Sequence, residues 1–481
     1  MLRTIYSEKR LFIMHKINYC FLCSIYMIIL RKVCENEVNT KQNMYKIKYI
    51  TFGCKVNQYE TQCLESAFGE RGFMPAGDGA PDCIVINSCT VTSSGDSKSL
   101  YAVRKLRRDF PDAVIVLTGC LPQAAPGIQK ELPEADIITG TRNRKQLPEL
   151  VEEVLKERHR ITDISPYDRN DPFEVMEYCG GITENSAHTR AFVKIQDGCN
   201  CFCTYCIIPY ARGRCRSKPL GVLRSEAERL AAEGYREIVL TGINIAFYGA
   251  EYGLSLADAA EVCCRTEGIE RVRLGSIEPE MLPESDILRL SELPELCPQF
   301  HLSLQSGCGR TLKAMHRRYT PEEYLSLTRT LLRYFPDAAF TTDIMTGFPG
   351  ETEEDFAESL AFAEKIGFAK IHVFQFSPRK GTPAAAMEQV PENVKKLRAD
   401  RMKALAADLR RRYLEKQIGK TVPVLFERET DNEYAHGYAP DFTLVKIPGK
   451  KAKKSLRNSI FYVTIEASSS DHCVGRIIRE L

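Results

Sequence analysis

Cys199, Cys203 and Cys206 share one short segment, Gly198-Cys199-Asn200-Cys201-Phe202-Cys203-Thr204-Tyr205-Cys206, directly after the apolar stretch Ala191-Phe192-Val193-Lys194-Ile195. Three thiolates on one loop can hold three irons of a cubane cluster. The fourth iron then has no protein ligand and can bind and reduce a substrate. A zinc half-site is the competing reading of Cys-x2-Cys, but no matching second pair follows and the loop contains no His. Cys201 is an extra thiol, expected to stand beside the ligands rather than to join them.

Three more cysteines carry a signal through position. Tyr45 to Gly53, Cys83 to Asn87 and Ala113 to Thr118 read as buried strands, and Ala135 to Thr139 as a fourth. Helical patterns lie between them, over Glu60 to Arg71 and Ser97 to Arg108. Strands alternating with helices imply a doubly wound parallel sheet covered on both faces. Functional groups of such sheets collect beyond the carboxyl ends of the strands. Cys54, Cys89 and Cys120 each follow one of these strands. The sheet would bring the three thiols together; the alternative is three unrelated core cysteines. Cys63, in a helical pattern, and Cys83, at a strand start, are expected in the core.

Six further strand-then-helix units fill residues 186–416. The strands read as Phe192–Gln196, Glu237–Thr241, Val272–Ser276, Phe300–Leu304, Ala339–Met345 and Ile371–Phe376. The helices include Ser225–Glu233, Ser255–Thr266, Pro321–Tyr334, Glu353–Ile366 and Val394–Lys416. A barrel of parallel strands places its chemistry at the carboxyl-terminal mouth. Those ends carry the cysteine loop, then Asn244, Glu278, Gln305 with Ser306, Asp343 and Arg379. Six units fall short of the eight of a closed barrel, so a partial (β/α)6 barrel with an open side is expected, suited to a large substrate. From about Gly419 the pattern changes to Thr421–Glu427 and Ser459–Ala467, strands of a small β-barrel.

The 481 residues allow about three domains. The expected organisation is an extension over 1–43, a thiol-bearing sheet domain over 44–160, the barrel over 186–416 and the β-module over 418–481. Hydrophobic content of 44% and charged content of 27% are those of a soluble globular chain. An odd count of 19 cysteines in clustered motifs fits a reducing cytoplasm and metal ligation better than disulfides. Leu11 to Leu30 is apolar but interrupted by His15, Lys16 and Asn18; the extension is expected to reflect a misassigned start rather than a membrane anchor. Net charge is only +3, so any nucleic-acid binding must come from local patches. Lys446, Lys450, Lys451, Lys453, Lys454 and Arg457 form one basic run; Arg104 to Arg108 and Arg410 to Arg412 form others. Each run is a phosphate-binding patch or a solvated surface.

The chain resembles radical S-adenosylmethionine methylthiotransferases over nearly everything from residue 45 to 481. The resemblance rests on Gly53-Cys54-Lys55-Val56-Asn57-Gln58-Tyr59-Glu60, Asn87-Ser88-Cys89-Thr90-Val91-Thr92, Thr118-Gly119-Cys120, the triple-cysteine loop with Ile207-Ile208-Pro209-Tyr210-Ala211-Arg212-Gly213, and Gly275-Ser276-Ile277-Glu278-Pro279. It implies that Cys199, Cys203 and Cys206 ligate a radical-generating 4Fe–4S cluster. It implies that Cys54, Cys89 and Cys120 ligate a second 4Fe–4S cluster that takes part in sulfur delivery. S-adenosylmethionine would be cleaved at the open iron to give a 5′-deoxyadenosyl radical, and a second molecule would supply the methyl group. Tyr205 would sit near the adenine of the cofactor, and Asn244, Glu278 and Gln305 near its amino-acid and ribose portions; packing and strand-end capping are the plain alternatives. The terminal module resembles the TRAM domain, which helps such enzymes hold RNA.

Three branches of the family share this plan. They act on isopentenyladenosine in tRNA, on threonylcarbamoyladenosine in tRNA, or on an aspartate of a ribosomal protein. The wording Gly-Cys-Lys-Val-Asn-Gln-Tyr-Glu with Ile-Ile-Pro-Tyr-Ala-Arg-Gly looks most like the threonylcarbamoyladenosine branch. Ser88 stands where that branch usually has Thr. The implied partners are the tRNA anticodon loop, a reduced electron donor such as flavodoxin or ferredoxin, and a sulfur source, with no membrane. A non-catalytic iron–sulfur RNA-binding protein would explain the clusters and the basic tail but not the polar barrel mouth. Removal of the segment after Lys420 is expected to weaken tRNA binding and spare S-adenosylmethionine cleavage.

Overall fold

The computed structural model describes residues 44–125, 127–168, 170–178, 180, 189–427, 434–448 and 455–481. The extension over 1–43 and Lys450, Lys451, Lys453 and Lys454 of the basic run lie outside the described residues. Among the described residues no helix is long and apolar enough to cross a membrane.

The first sheet has six parallel strands: β1 (Lys46–Thr51), β2 (Met74–Pro75), β3 (Cys83–Ser88), β4 (Val114–Gly119), β5 (Ile137–Thr139) and β6 (Ile161–Asp163). Their order is β2-β1-β3-β4-β5-β6. β3 and β4 are buried along their whole length, as continuous apolar runs predict for strands covered on both faces. Val85, Val114 and Val116 pack against Tyr59, Leu64 and Phe68 of the helix Lys55–Glu70. Ile84, Ile86, Ile115 and Leu117 turn the other way, onto Val103 and Leu106 of the helix Ser93–Asp109. Both helices start earlier than the apolar periodicity indicates, because their caps set the start. Cys54 is the N-cap of the first, and the Thr92 hydroxyl accepts from Gly95 N at 3.1 Å in the second. Cys63 and Cys83 are buried in this core, as expected.

The central region repeats six parallel strand positions: β7 (Ala191–Asp197), β9 (Glu237–Gly242), β10 (Arg271–Leu274) continued by β11 (Ser276–Ile277), β12 (Gln299–Leu302), β13 (Ala339–Thr346) and β14 (Lys370–Gln375). A short antiparallel β8 (Arg216–Ser217) edges β7. The third strand, expected as one piece, breaks at Gly275, whose N–H turns to Leu240 O at 2.8 Å. The break leaves two four-stranded sheets, β10-β9-β7-β8 and β11-β12-β13-β14. One face of these strands packs on their own helices through Val193, Leu240, Val272, Phe300, Tyr324 and Phe356. On the opposite face Phe192 and Val239 join the core of the helix Lys55–Glu70, so the first domain covers part of the barrel's inner side.

The last module is a closed five-stranded barrel in the order β15-β16-β17-β19-β18, built from β15 (Thr421–Phe426), β16 (Tyr434–Tyr438), β17 (Leu444–Pro448), β18 (Ile460–Ser468) and β19 (Cys473–Glu480). It is docked rather than tethered. Arg271 donates to Tyr438 O (2.9 Å) and Pro423 O (2.7 Å), Arg273 donates to Pro440 O (2.7 Å), and Arg190 pairs with Glu427 (2.9 Å). Deleting everything after Lys420 would strip acceptors from two buried guanidiniums. The truncation therefore does not isolate an RNA-binding role, and surface substitutions on the module are the sharper test.

Candidate active site between two thiol sets

β1, β3 and β4 are adjacent and in register, so their carboxyl ends lie side by side: Thr51 pairs with Asn87, and Ser88 with Gly119. Cys54, Cys89 and Cys120 sit just beyond. Gly53 has φ +105°, and a Cβ there would lie 2.9 Å from Cys89 Sγ; only glycine lets these loops approach so closely. Gly119 before Cys120 repeats the device at φ +104°. Asn57 Nδ2 donates to Phe52 O (2.8 Å) and Ser88 O (3.0 Å), stapling the first thiol's turn to the second's strand. Ser88 Oγ donates to Thr118 O at 2.6 Å, so this position ties β3 to β4. Burial pushes the Cys89 thiol up and the Cys120 thiol up to about 11; charge on Cys54 would add to both, while Arg212 opposes. Ligation of iron would reverse the burial effect, because a metal takes the thiolate.

The second set stands on the loop after β7. Gly198 N donates to Asp197 Oδ1 (2.9 Å), Cys199 N to Gly213 O (3.1 Å) and Cys206 N to Cys203 O (3.0 Å). These bonds fold the loop so that its thiols share one pocket. A hydrogen bond from Cys201 holds the Cys199 thiol down to about 6, while burial raises Cys203, and raises Cys206 to about 12. Cys201 N also lies 3.5 Å from Cys199 Sγ, so the extra thiol and its backbone serve Cys199.

The strand-end polar residues divide. Asn244 N donates to Gln196 Oε1 (2.7 Å) and its Nδ2 to Cys201 Sγ (3.7 Å), leaving a buried Oδ1 without a partner. Gln305 adopts φ +65°, donates its N–H to Asp343 O (2.9 Å), and also has a buried, unpartnered Oε1. Orphaned acceptors in a buried mouth fit a ligand that brings donors, such as an amino group or ribose hydroxyls. Burial pushes the Glu278 carboxyl up to about 7, against the pull of its ion-pair partner Arg317. Tyr205 Oη is 3.5 Å from Arg317 Nη1, and its ring meets Phe348 edge-on. Three expectations need correction. Asp343 lies within β13 rather than at its end, bonded to His301 Nε2 at 3.3 Å. Ser306 turns inward to Ser359 Oγ (2.9 Å). Arg379 reaches back to the first domain, donating to Thr90 Oγ1 (2.8 Å) and pairing with Asp96.

Sequence reasoning missed two groups. Arg317, almost fully buried, donates to Cys203 Sγ (3.4 Å) and Ser303 O (3.1 Å) besides pairing with Glu278. Glu60 of the first domain is enclosed by Arg144, Lys194 (2.9 Å) and Arg212 (2.8 Å). Arg212 also bonds Asn57 Oδ1 (2.7 Å) and Asp197 Oδ1 (3.1 Å). This network runs from the residue that staples the Cys54 turn to the residue that caps the Cys199 loop. Lys55, beside Cys54, is open to solvent, yet the surrounding protein pushes its ammonium down to about 8, by desolvation first and then through Arg190 and Arg273, with Glu237 opposing. In two of the basic runs several members are paired: Arg107 with Asp136, Arg411 with Asp408 and Glu415, Arg412 with Glu364. A cavity of about 400 Å³ lies beside the loop set, lined by Cys206, Gln305, Asp343, Met345 and Phe376 and, from the first domain, by Thr92.

A parallel barrel with three thiols on the loop after its first strand defines a radical S-adenosylmethionine enzyme. The family model described as Radical SAM superfamily matches residues 193–363, and that described as Uncharacterized protein family UPF0004 matches residues 46–140. Threonylcarbamoyladenosine tRNA methylthiotransferase MtaB of Bacillus subtilis (strain 168) is 37% identical over 415 residues, 84% of this chain and 91% of that protein. The Thermotoga maritima protein of the same name is 39% identical over 386 residues, 80% and 87%. A tRNA-2-methylthio-N(6)-dimethylallyladenosine synthase of Pelotomaculum thermopropionicum is 37% identical over 398 residues, 81% and 88%. The chain belongs to the radical S-adenosylmethionine methylthiotransferase family, whose cofactors include S-adenosylmethionine and a 4Fe–4S cluster. Among solved structures, the radical S-adenosylmethionine methyltransferase TsrM of Kitasatospora setae shares the fold, with TM-score 0.54, 16% identity and coverage of 71% of this chain and 77% of that one.

Proposed function

We propose that this chain transfers a methylthio group to C2 of N6-threonylcarbamoyladenosine beside the anticodon of tRNA. The carrying observation is the presence of two thiol sets, joined through Arg212 and its partners Glu60, Asn57 and Asp197, in a chain 37% and 39% identical to two enzymes of that name. Cys199, Cys203 and Cys206 are assigned to the cluster with the open iron, and Cys54, Cys89 and Cys120 to a second 4Fe–4S cluster. When bound, these groups would pass on the electron that cleaves S-adenosylmethionine to a radical able to take hydrogen from C2 and would take part in delivering the sulfur that replaces it, with a second S-adenosylmethionine supplying the methyl group.

The protein's own residues bind and position. Asn244 and Gln305 offer their free acceptors to the cofactor's donors, while Tyr205 packs beside its adenine. Arg317 opposes the cost of charge on Cys203 and holds Glu278 in the mouth. The Glu60–Arg212 network fixes one set relative to the other, and Arg379 with Asp96 ties the first domain to the loop after β14. Unstacked anticodon-loop bases are accessible to such a mouth, and the terminal module supplies phosphate contacts. A flavodoxin or ferredoxin in the cytoplasm is the assigned electron source, with sulfur brought by a separate donor.

A second reading is methylthiolation of dimethylallyladenosine, favoured by the 37% identity to the enzyme of that name. Mass spectrometry of tRNA nucleosides from cells lacking the gene separates the two. Loss of 2-methylthio-threonylcarbamoyladenosine, with its precursor accumulating, supports the first. Loss of the dimethylallyl counterpart instead overturns it.

A further inference from the structure

The inner side of the barrel below the thiol mouth is charged where a barrel interior is ordinarily apolar. His301 of β12, Asp343 of β13 and His372 of β14 lie on neighbouring strands with ligand atoms within 4.8 Å of one another. Asp343 also lines the cavity beneath Cys206. Lys55 reaches toward this space from the first domain, one residue after Cys54, near enough for its charge to act on His372. Its Nζ stands 5.9 Å from the ring of Phe192 at the start of β7 and 6.0 Å from that of Phe442 in the terminal module. All three parts of the chain therefore wall in one ammonium. Among the described residues no oxygen accepts a hydrogen bond from it. The neighbouring guanidiniums are already engaged, Arg190 with Glu427 at 2.9 Å and Arg273 with Glu237 at 3.0 Å.

A solvent-accessible cation flanked by two aromatic rings, with no ion pair to a carboxylate among the described residues, is arranged to receive an anion. The threonylcarbamoyl substituent ends in a carboxylate and carries a hydroxyl, whereas a dimethylallyl group offers neither. With C2 held at the thiol mouth, the substituent on the far side of N1 extends away from the mouth, into the barrel. We infer that Lys55 binds the carboxylate of the N6 substituent, with Asp343 and the two histidines forming the polar wall beside it. This rests on the threonylcarbamoyladenosine reading and assigns it a residue that selects substrate. A hydrocarbon substituent would leave the Lys55 ammonium unpaired in the same space, which disfavours it.

The test compares two tRNA substrates, one bearing threonylcarbamoyladenosine and one bearing its methyl ester, on the full chain reconstituted with iron and sulfide. For wild type, kcat/KM for the acid is expected to exceed that for the ester by about tenfold or more. In Lys55→Gln that ratio is expected to fall toward one, and in Lys55→Arg to recover in part. A ratio near one in wild type, or an undiminished ratio in Lys55→Gln, overturns the inference and leaves the substrate reading standing. A wild-type chain that modifies only dimethylallyladenosine overturns both. The wild-type comparison needs no variant, so a folding defect in Lys55→Gln does not protect the inference.

Discussion

Cys199, Cys203 and Cys206 come from one loop, and their spacing is written into consecutive residues. Cys54, Cys89 and Cys120 come from three separate strand ends and meet only when β1, β3 and β4 pair in register. A one-residue slip in β3 would exchange the residues it packs into its two cores and displace Cys89 from the other two thiols. The loop set needs little more than its own turns and the contacts of Asn244 and Arg317. The strand-end set needs a folded sheet. Yet the two are alike in one respect: each has a buried guanidinium that opposes the cost of thiolate charge, Arg212 for Cys120 and Arg317 for Cys203. The loop set is readable from spacing alone, and the strand-end set only through the strand–helix alternation that implies the sheet.

The most damaging change to the loop set is Cys203→Ala. It is expected to abolish both 5′-deoxyadenosine and methylthiolated nucleoside, with bound iron falling by about half. Persistence of 5′-deoxyadenosine would break the assignment. Next is Glu60→Gln, which leaves Arg144, Lys194 and Arg212 buried together without their shared carboxylate. It should lower unfolding stability by about 3–5 kcal/mol in chemical denaturation, the scale of an uncompensated buried charge. A loss under ~1 kcal/mol would show that the network does not join the two sets. Arg317→Met removes one charged hydrogen bond from Cys203, an interaction worth ~1.5–3 kcal/mol. It is expected to slow 5′-deoxyadenosine formation by about tenfold with iron content retained, a result read from timed single-turnover assays. The smallest effect is outside both sets. Lys446→Ala, on the terminal barrel, should weaken tRNA binding a few-fold and reduce its salt slope by about one.

The six cysteines were legible because each follows an apolar run, and Gly53 and Gly119 mark turns directly before two of them. The alternation of strand and helix was enough for four of the six strands of the first sheet and for the six barrel units; β2 (Met74–Pro75) and β6 (Ile161–Asp163) are too short to show a pattern. Arg317 and Glu60 were not legible. A basic residue in His316-Arg317-Arg318 reads as surface until Glu278 and Cys203 are brought to it, and nothing local links Glu60 to Arg212. The break at Gly275 depends on Leu240 in a neighbouring strand. β16 and β17 are short, and β19 (Cys473–Glu480) mixes apolar with charged residues, so their periodicity is weak. Asp343 was read as a strand-end group although it lies inside the apolar pattern, and the structure keeps it within β13.

The division of labour between the two sets is tested most directly by Cys89→Ala, reconstituted beside wild type and supplied with threonylcarbamoyladenosine tRNA, S-adenosylmethionine and reductant. Mass spectrometry would follow 5′-deoxyadenosine and 2-methylthio-threonylcarbamoyladenosine in the same reaction. The account predicts that wild type makes both, while the variant makes 5′-deoxyadenosine and no methylthiolated nucleoside. A variant that makes both products at wild-type levels would contradict it, because sulfur transfer would then not depend on the strand-end thiols.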